Sequence, residues 1–257
     1  MLLIASSSTF RAELKSGAIA MMDLPAHVSR EHELRGLSLT TDLLAGAGMP
    51  ELDALREAAD KATCPILMLR EPAVQDFSGA ETVDGAVERV SRVLHAGQRL
   101  GCSAVGIELA PAADEDDMER LVDGLKEVSP VAEKLDLNLL VRVGLEPVAT
   151  PEEVSELIKR VGGFRIGTLP DFELAAATGD GAEHLKRVAP YSTVVLASAV
   201  KFKKTGKHAT YDLGGMIAPL REIGFDGVLT LEYRGTGNAD KNLRLITRAI
   251  EAALERV

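Results

Sequence analysis

Eight short apolar runs recur along this 257-residue chain, and the stretches between them carry a helical period. Leu2 to Ala5 opens the series, followed by Leu37-Ser38-Leu39-Thr40, Pro65 to Leu69, Ala104 to Glu108 and Leu137 to Val143. Phe164 to Leu169, Thr193 to Ala197 and Val228 to Glu232 complete it. Continuous apolar runs of this length suit parallel strands buried on both faces. Between them Val83, Val87, Val90 and Leu94 recur every three or four residues. So do Met118, Leu121, Leu125 and Val128, then Val154, Leu157, Ile158 and Val161, then Leu243, Ile246, Ile250 and Leu254. These are stripes of helices that lie against a sheet. Thr150-Pro151-Glu152-Glu153 predicts a helix start with a capping box, Asn238 caps the last helix, and Gly162-Gly163 and Gly224 are left-handed stops.

Strand–helix alternation from end to end, with no linker, predicts an α/β chain folded as a single (β/α)8 TIM barrel. One domain over residues 1–257 fits, because such a barrel takes about 250 residues. The first helix is weakly written, around Ser16 to Met22 and on past Pro25. A doubly wound open sheet is the alternative, but Gly214-Gly215 and Gly235-Thr236-Gly237 lack the strand-to-helix setting of a dinucleotide fingerprint.

The net charge of −10 argues against nucleic acid and anionic membrane as partners, since both call for positive faces. The apolar opening, Met1 to Ala5, runs at once into Ser6-Ser7-Ser8-Thr9, too short for a signal-peptide core or a membrane span, so the expected compartment is cytoplasmic. Two cysteines, Cys64 and Cys102, point to a reducing compartment without disulfides or a cysteine zinc site.

In a barrel of this kind chemistry sits at the C-terminal ends of the strands. The polar residues there are Ser6 and Ser7, Thr41 and Asp42, Arg70 and Glu71, Glu108, Arg142, Asp171, Lys201, and Glu232 with Arg234. Buried charge at a barrel mouth is costly unless paired, so these groups either neutralise one another or serve a ligand. Glu232 closes an apolar strand, and alternation puts Thr230, Glu232 and Arg234 on one face. A buried bridge from Glu232 to Arg142 is a further reading. Asp171 follows Pro170 and is either a functional carboxylate or the cap of the next helix. Lys201 begins a lysine-rich loop that ends at His208, where barrels commonly hold phosphate. The other histidines, His27, His32, His95 and His184, do not cluster in the sequence and are expected on the surface. No G-x-S-x-G elbow supports a serine nucleophile.

The segment Leu220 to Tyr233, with Gly224-Phe225-Asp226-Gly227 leading into Val228-Leu229-Thr230-Leu231-Glu232, resembles the closing strand of the xylose-isomerase-like barrel superfamily. Gly167-Thr168-Leu169-Pro170-Asp171 is similar to its strand-six element, and Ser198-Ala199-Val200-Lys201 with Tyr211-Asp212 to its strand-seven segment. The resemblance implies a sugar or sugar-phosphate isomerase or epimerase that moves a proton between neighbouring carbons. It also implies a Mn²⁺, Mg²⁺, Co²⁺ or Zn²⁺ ion held by a Glu, an Asp, a His and a Glu on strands five to eight.

Two of those four survive here: Asp171 and Glu232, which the resemblance makes catalytic or, were a metal present, its ligands. Arg142 stands at the strand-five position, and the strand-seven position falls on Ala199, or on Ser198 one register away. No metal cofactor is therefore expected unless the site is rebuilt from other ligands. Arg142, Lys201, Arg234, Glu108 and His208 are the expected substrate-binding groups, and the expected partner is a small sugar or sugar phosphate. A non-catalytic sugar- or anion-binding barrel is the alternative, with an endonuclease-IV-like role third. The sequence names neither the substrate nor the oligomeric state, and a homo-oligomer is compatible with it.

Overall fold

The computed structural model describes residues 1–79, 81–143 and 149–255. Its strands are β1 (Leu2–Ser6), β2 (Leu37–Thr40), β3 (Ile66–Gln75), β4 (Ala104–Leu109), β5 (Asn138–Val143), β6 (Ile166–Thr168), β7 (Val194–Ala199) and β8 (Val228–Tyr233). The helices between them are α1 (Arg11–Ser16), α2 (Leu24–His32), α3 (Met49–Lys61), α4 (Val83–Leu100), α5 (Glu115–Lys134) and α6 (Pro151–Val161). Then come α7 (Phe172–Ala177), α8 (Gly181–Val188), α9 (Ile217–Glu222) and α10 (Ala239–Leu254).

The strands form one parallel sheet in the order β6-β5-β4-β3-β2-β1-β8-β7. It closes where Asp171 bridges Leu196, with the Leu196 N–H donating to Pro170 O at 2.8 Å. This is a (β/α)8 TIM barrel. Most of the core lies between sheet and helices, where the predicted stripes bury Val90, Leu94, Leu121, Leu125, Val128, Leu157, Leu243, Ile246 and Ile250. A smaller cluster of Met68, Ala104, Leu140, Leu169, Val194 and Leu196 fills the barrel interior.

The local signals act as read. Thr150 Oγ1 accepts the Glu153 N–H at 3.2 Å while Glu153 Oε2 accepts the Thr150 N–H at 2.7 Å. Asn238 accepts from Lys241 N at 2.7 Å. Gly162, Gly163 and Gly224 have φ of 69°, 93° and 72°. Three boundaries differ from expectation. The first helix is two helices, because Gly17 takes a left-handed φ of 74° after α1 and Pro25 sits in the first turn of α2. β3 runs on past Leu69, carrying Arg70 and Glu71 within the strand. β6 starts only at Ile166, and Phe164 is 99 % exposed.

Strand register decides which side chains face inward. Ser6 lies opposite Ser38, Thr40 opposite Arg70, Arg70 opposite Gly106, and Glu108 opposite Arg142. Asp171 lies opposite Leu196, and Ser198 opposite Glu232. Since Leu140, which pairs with Gly106, and Leu196 belong to the interior cluster, side-chain alternation carries the whole series into the barrel.

Candidate functional site at the barrel mouth

The inward charges form one continuous chain across the C-terminal mouth. Arg70 Nη2 donates to Glu232 Oε2 at 2.7 Å and to Oε1 at 3.0 Å. Arg234 Nε donates to Glu232 Oε1 at 2.7 Å, and Ser6 Oγ donates to Oε2 at 3.0 Å. The same Arg234 reaches Asp171 Oδ2 through Nη2 and Glu173 Oε2 through Nη1 at 2.7 Å. Arg142 Nη1 lies 3.4 Å from Asp171 Oδ2, while its Nε and Nη2 grip Glu108 Oε2 at 2.7 and 2.6 Å. The sequence Glu108–Arg142–Asp171–Arg234–Glu232–Arg70, with Glu173 at the rim, thus sets four carboxylates against three guanidiniums.

Asp171 is the cap of α7, and it is also a member of the charge chain. Its Oδ1 caps α7, accepting the Glu173 N–H at 2.9 Å, and also accepts Ser198 Oγ–H at 2.7 Å, while Oδ2 faces the arginines. Glu232 is not bridged to Arg142 as one reading had it; its cations are Arg70 and Arg234. Arg142 instead joins Glu108 to Asp171. The inward residue of β7 is Ser198 rather than Ala199.

Two predicted residues lie outside this chain. Lys201 is exposed and makes no ion pair among the described residues. His208 is buried against Phe202 and Tyr211, with its Nε2 accepting the Val200 N–H at 3.1 Å. It props the loop after β7, and burial lowers its proton affinity.

Arg70, named among the strand-end polar residues but not among the expected catalytic or substrate-binding groups, joins the site, as does Glu173, which was not named. The signal for Arg70 was its parity with Met68, and Gly106 leaves room for it, since a Cβ there would lie 3.4 Å from Arg70 Cγ and 2.8 Å from Leu169.

The carboxyls divide by environment. Burial alone would raise Glu232, but Arg70 and Arg234 outweigh it and hold the group well below the ordinary carboxylate range. Asp171 is likewise lowered, burial being overcome by Arg234 and Arg142. For Glu108 burial wins and raises the group, with Arg142 offsetting only part. Beneath the charges, Ser38 Oγ, Thr230 Oγ1 and Arg70 Nε are buried without a hydrogen-bond partner among the described residues.

This donor set does not fit a divalent cation. An ion on Asp171 and Glu232 would displace or face Arg70, Arg142 and Arg234 at contact distance, and like charges that close in a buried site repel strongly. His208, on the loop after β7, has its Nε2 engaged by backbone.

A second group lies outside the barrel wall. His27 and His32 of α2 both reach Asp240 of α10, Nε2 to Oδ1, at 2.8 and 2.7 Å. The expectation of dispersed surface histidines fails here because Asp240, more than 200 residues away in sequence, brings the two together. His32 and His184 are buried rather than exposed.

From residue 29 to residue 253 the sequence matches the family described as the xylose isomerase-like TIM barrel. No curated protein sequence matches the chain. Among solved structures, it superposes on a xylose isomerase domain protein from Planctomyces limnophilus with a TM-score of 0.75 at 15 % identity, covering 100 % of this chain and 97 % of that one. A D-tagatose 3-epimerase-like protein gives 0.75 at 18 %, covering 100 % and 99 %. The IOLI protein with a bound zinc atom gives 0.75 at 17 %, also covering 100 % and 99 %. At these identities the likeness is one of fold. Among the described residues no helix is long and apolar enough to cross a membrane.

Proposed function

The chain belongs to the xylose isomerase-like TIM-barrel family, and from that premise we propose that it is a sugar isomerase or epimerase working without a metal at its mouth. The substrate class is a small polyhydroxylated carbonyl compound, in keeping with the D-tagatose 3-epimerase-like protein that shares the fold. The observation that carries the reading is the opposite tuning of two mouth carboxyls. Glu108 is raised by burial, while Arg70 and Arg234 keep Glu232 ionised. Paired carboxyls pushed apart in this way divide acid–base work between them.

The proton-moving role falls to Glu108, since a carboxylate held as low as Glu232 is a poor base. Glu232 and Asp171 fix the arginines. Arg142, in contact with Glu108, and Arg234, in contact with Asp171, supply the positive charge that would offset negative charge building on a substrate oxygen. The Ser38 and Thr230 hydroxyls and Arg70 Nε, without partners among the described residues, offer hydrogen-bonding capacity that suits sugar hydroxyls.

A ligand-binding barrel without chemistry is the second reading, favoured by Asp171 and Glu232 each being held by two guanidiniums. Incubation with ketoses and ketose phosphates in D2O separates the two. Deuterium should enter at the carbon next to the carbonyl with the wild-type protein and not with Glu108→Gln, although both bind. Thermal stabilisation by a sugar without exchange selects the binding barrel, and neither effect defeats both readings.

A further inference from the structure

Three side chains outside the mouth converge more tightly than packing requires. His27 and His32 belong to α2, and Asp240 is the second residue of α10. Both imidazoles direct Nε2 at one oxygen, Asp240 Oδ1, at 2.8 and 2.7 Å. The ligand atoms of the three residues all lie within 4.8 Å of one another. Around a tetrahedral Zn²⁺ with bonds of roughly 2.0–2.1 Å, neighbouring ligand atoms stand roughly 3.3 Å apart, so each imidazole nitrogen must draw back from Asp240 Oδ1 by about half an ångström and the two nitrogens must settle at that same spacing.

The surroundings match what such an ion needs. The His32 side chain is 1 % exposed, whereas those of His27 and Asp240 are 23 % and 32 % exposed, so the group is walled on one side and open to water on the other. Phe10 supplies part of the wall, its ring centroid 5.4 Å from His27 and 5.9 Å from His32. His32 Nδ1 is buried with no partner among the described residues, and Nε2 is the nitrogen this ring turns toward Asp240. The nearby cation, Arg244, has Nη2 3.7 Å from Glu31 Oε2, which offsets its charge.

We propose that His27, His32 and Asp240 form a transition-metal site, with Zn²⁺ the preferred ion and water at the open vertex. Two imidazoles and one carboxylate are borderline donors that select Zn²⁺ and Co²⁺ over the oxygen-seeking Mg²⁺ and Ca²⁺. The site is separate from the mouth and takes no part in the sugar reading. Its effect is mechanical: it clasps α2 to α10, the first and last parts of the ring, across the β1–β8 pairing. The rival account is a metal-free strut in which each imidazole donates Nε2–H to Asp240.

The full-length protein, stripped with EDTA and dialysed, is titrated with Zn²⁺ and with Co²⁺. One equivalent should bind with micromolar or tighter affinity, raise the melting temperature and, for Co²⁺, give the intense visible bands of a four-coordinate ion. His27→Gln, at the more exposed of the site's two imidazoles, and Asp240→Asn should each weaken Zn²⁺ at least tenfold, while Glu108→Gln at the mouth should not. Nitrogen-15 histidine spectra of the wild type supply a readout without any variant, since Zn²⁺ should move two Nε2 resonances together. No saturable binding at 100 μM Zn²⁺, or binding that survives either site variant, leaves the strut account standing. Binding lost only in Glu108→Gln would place the ion at the mouth and overturn the proposal.

Discussion

Arg70 holds Glu232 through a single nitrogen, Nη2, which donates to both carboxylate oxygens at 2.7 and 3.0 Å, while Arg70 Nε has no partner among the described residues. The two residues are 162 positions apart, and the pair is closed off from solvent. Removing one partner of such a pair leaves a buried charge unmatched, which costs about 3–5 kcal/mol.

Arg70→Met should therefore lower the melting temperature by on the order of 10 °C, since 1 kcal/mol is worth about 2–4 °C in a chain of this size. Arg234 still pairs with Glu232, so the loss should sit at the lower end of the range. Adding Glu232→Gln to Arg70→Met should restore part of the stability, and urea unfolding of the four proteins in the cycle measures the coupling. A double variant no more stable than Arg70→Met would mean that the pair is not a unit.

Acid should unfold the protein by way of the same carboxylates. Asp171 and Glu232 are both lowered in the folded state, burial being outweighed by the arginines, whereas unfolded Asp and Glu titrate near roughly 3.9 and 4.3. A depressed group stabilises the fold above its unfolded value, and that stabilisation is lost as pH falls through the folded one. Between neutral pH and about 5 the lowered His208 and the raised Glu108 pull stability in opposite directions; below about 4 the loss from Asp171 and Glu232 should make it fall steeply. Asp171→Asn should be less stable at pH 7 and should show a shallower acid limb. Equal acid slopes for the two proteins would contradict the assignment.

The barrel was legible because its signals are periodic and local: apolar runs, helix stripes, the Thr150–Glu153 box and the Gly162 and Gly224 stops need no distant partner. The mouth was legible as a set of residues but not as a set of pairs. Arg70 and Glu71 look like the end of a strand, because two charges in succession seldom sit inside one. Register sends Arg70 inward to Glu232, while Glu71 goes outward to Arg89, whose Nε lies 2.6 Å away. Nothing local separates those fates. His27 and His32 likewise acquire meaning only through Asp240.

Deleting the chain from Gly224 removes β8 and α10 and with them Glu232, Arg234 and Asp240. β1 and β7 would lose their shared neighbour, and Arg70 would be left buried and unpaired. The truncated chain should be insoluble or molten, and the whole chain should unfold in one cooperative step by circular dichroism. A folded, cooperative fragment would argue for two units rather than one domain.

Arg142 and Lys201 differ in what their charges support in the unliganded fold. Arg142 is nearly buried, holds Glu108 through two nitrogens and lies against Asp171. Replacing it with Met should strand Glu108 and cost about 3–5 kcal/mol. Lys201 is exposed, and it lines a groove with Lys203, Lys204, Lys241 and Asn238, at the start of α10. Helix starts carry partial positive charge, and the loops after the last two strands of such barrels commonly hold phosphate, so this groove rather than Arg142 is where an anion should settle. Lys201→Met should leave the unliganded melting temperature within about 1 °C, because exposed charges contribute little to stability. The same change should weaken binding of phosphate or a sugar phosphate about tenfold, since a charge-assisted contact is worth roughly 1.5–3 kcal/mol and ~1.4 kcal/mol is a factor of ten. Thermal shifts with millimolar phosphate, sulfate and glucose 6-phosphate check both halves. If none of them stabilises the wild-type protein, the groove binds no anion, and a shift that Lys201→Met leaves intact while Arg142→Met abolishes it would put the anion at the mouth.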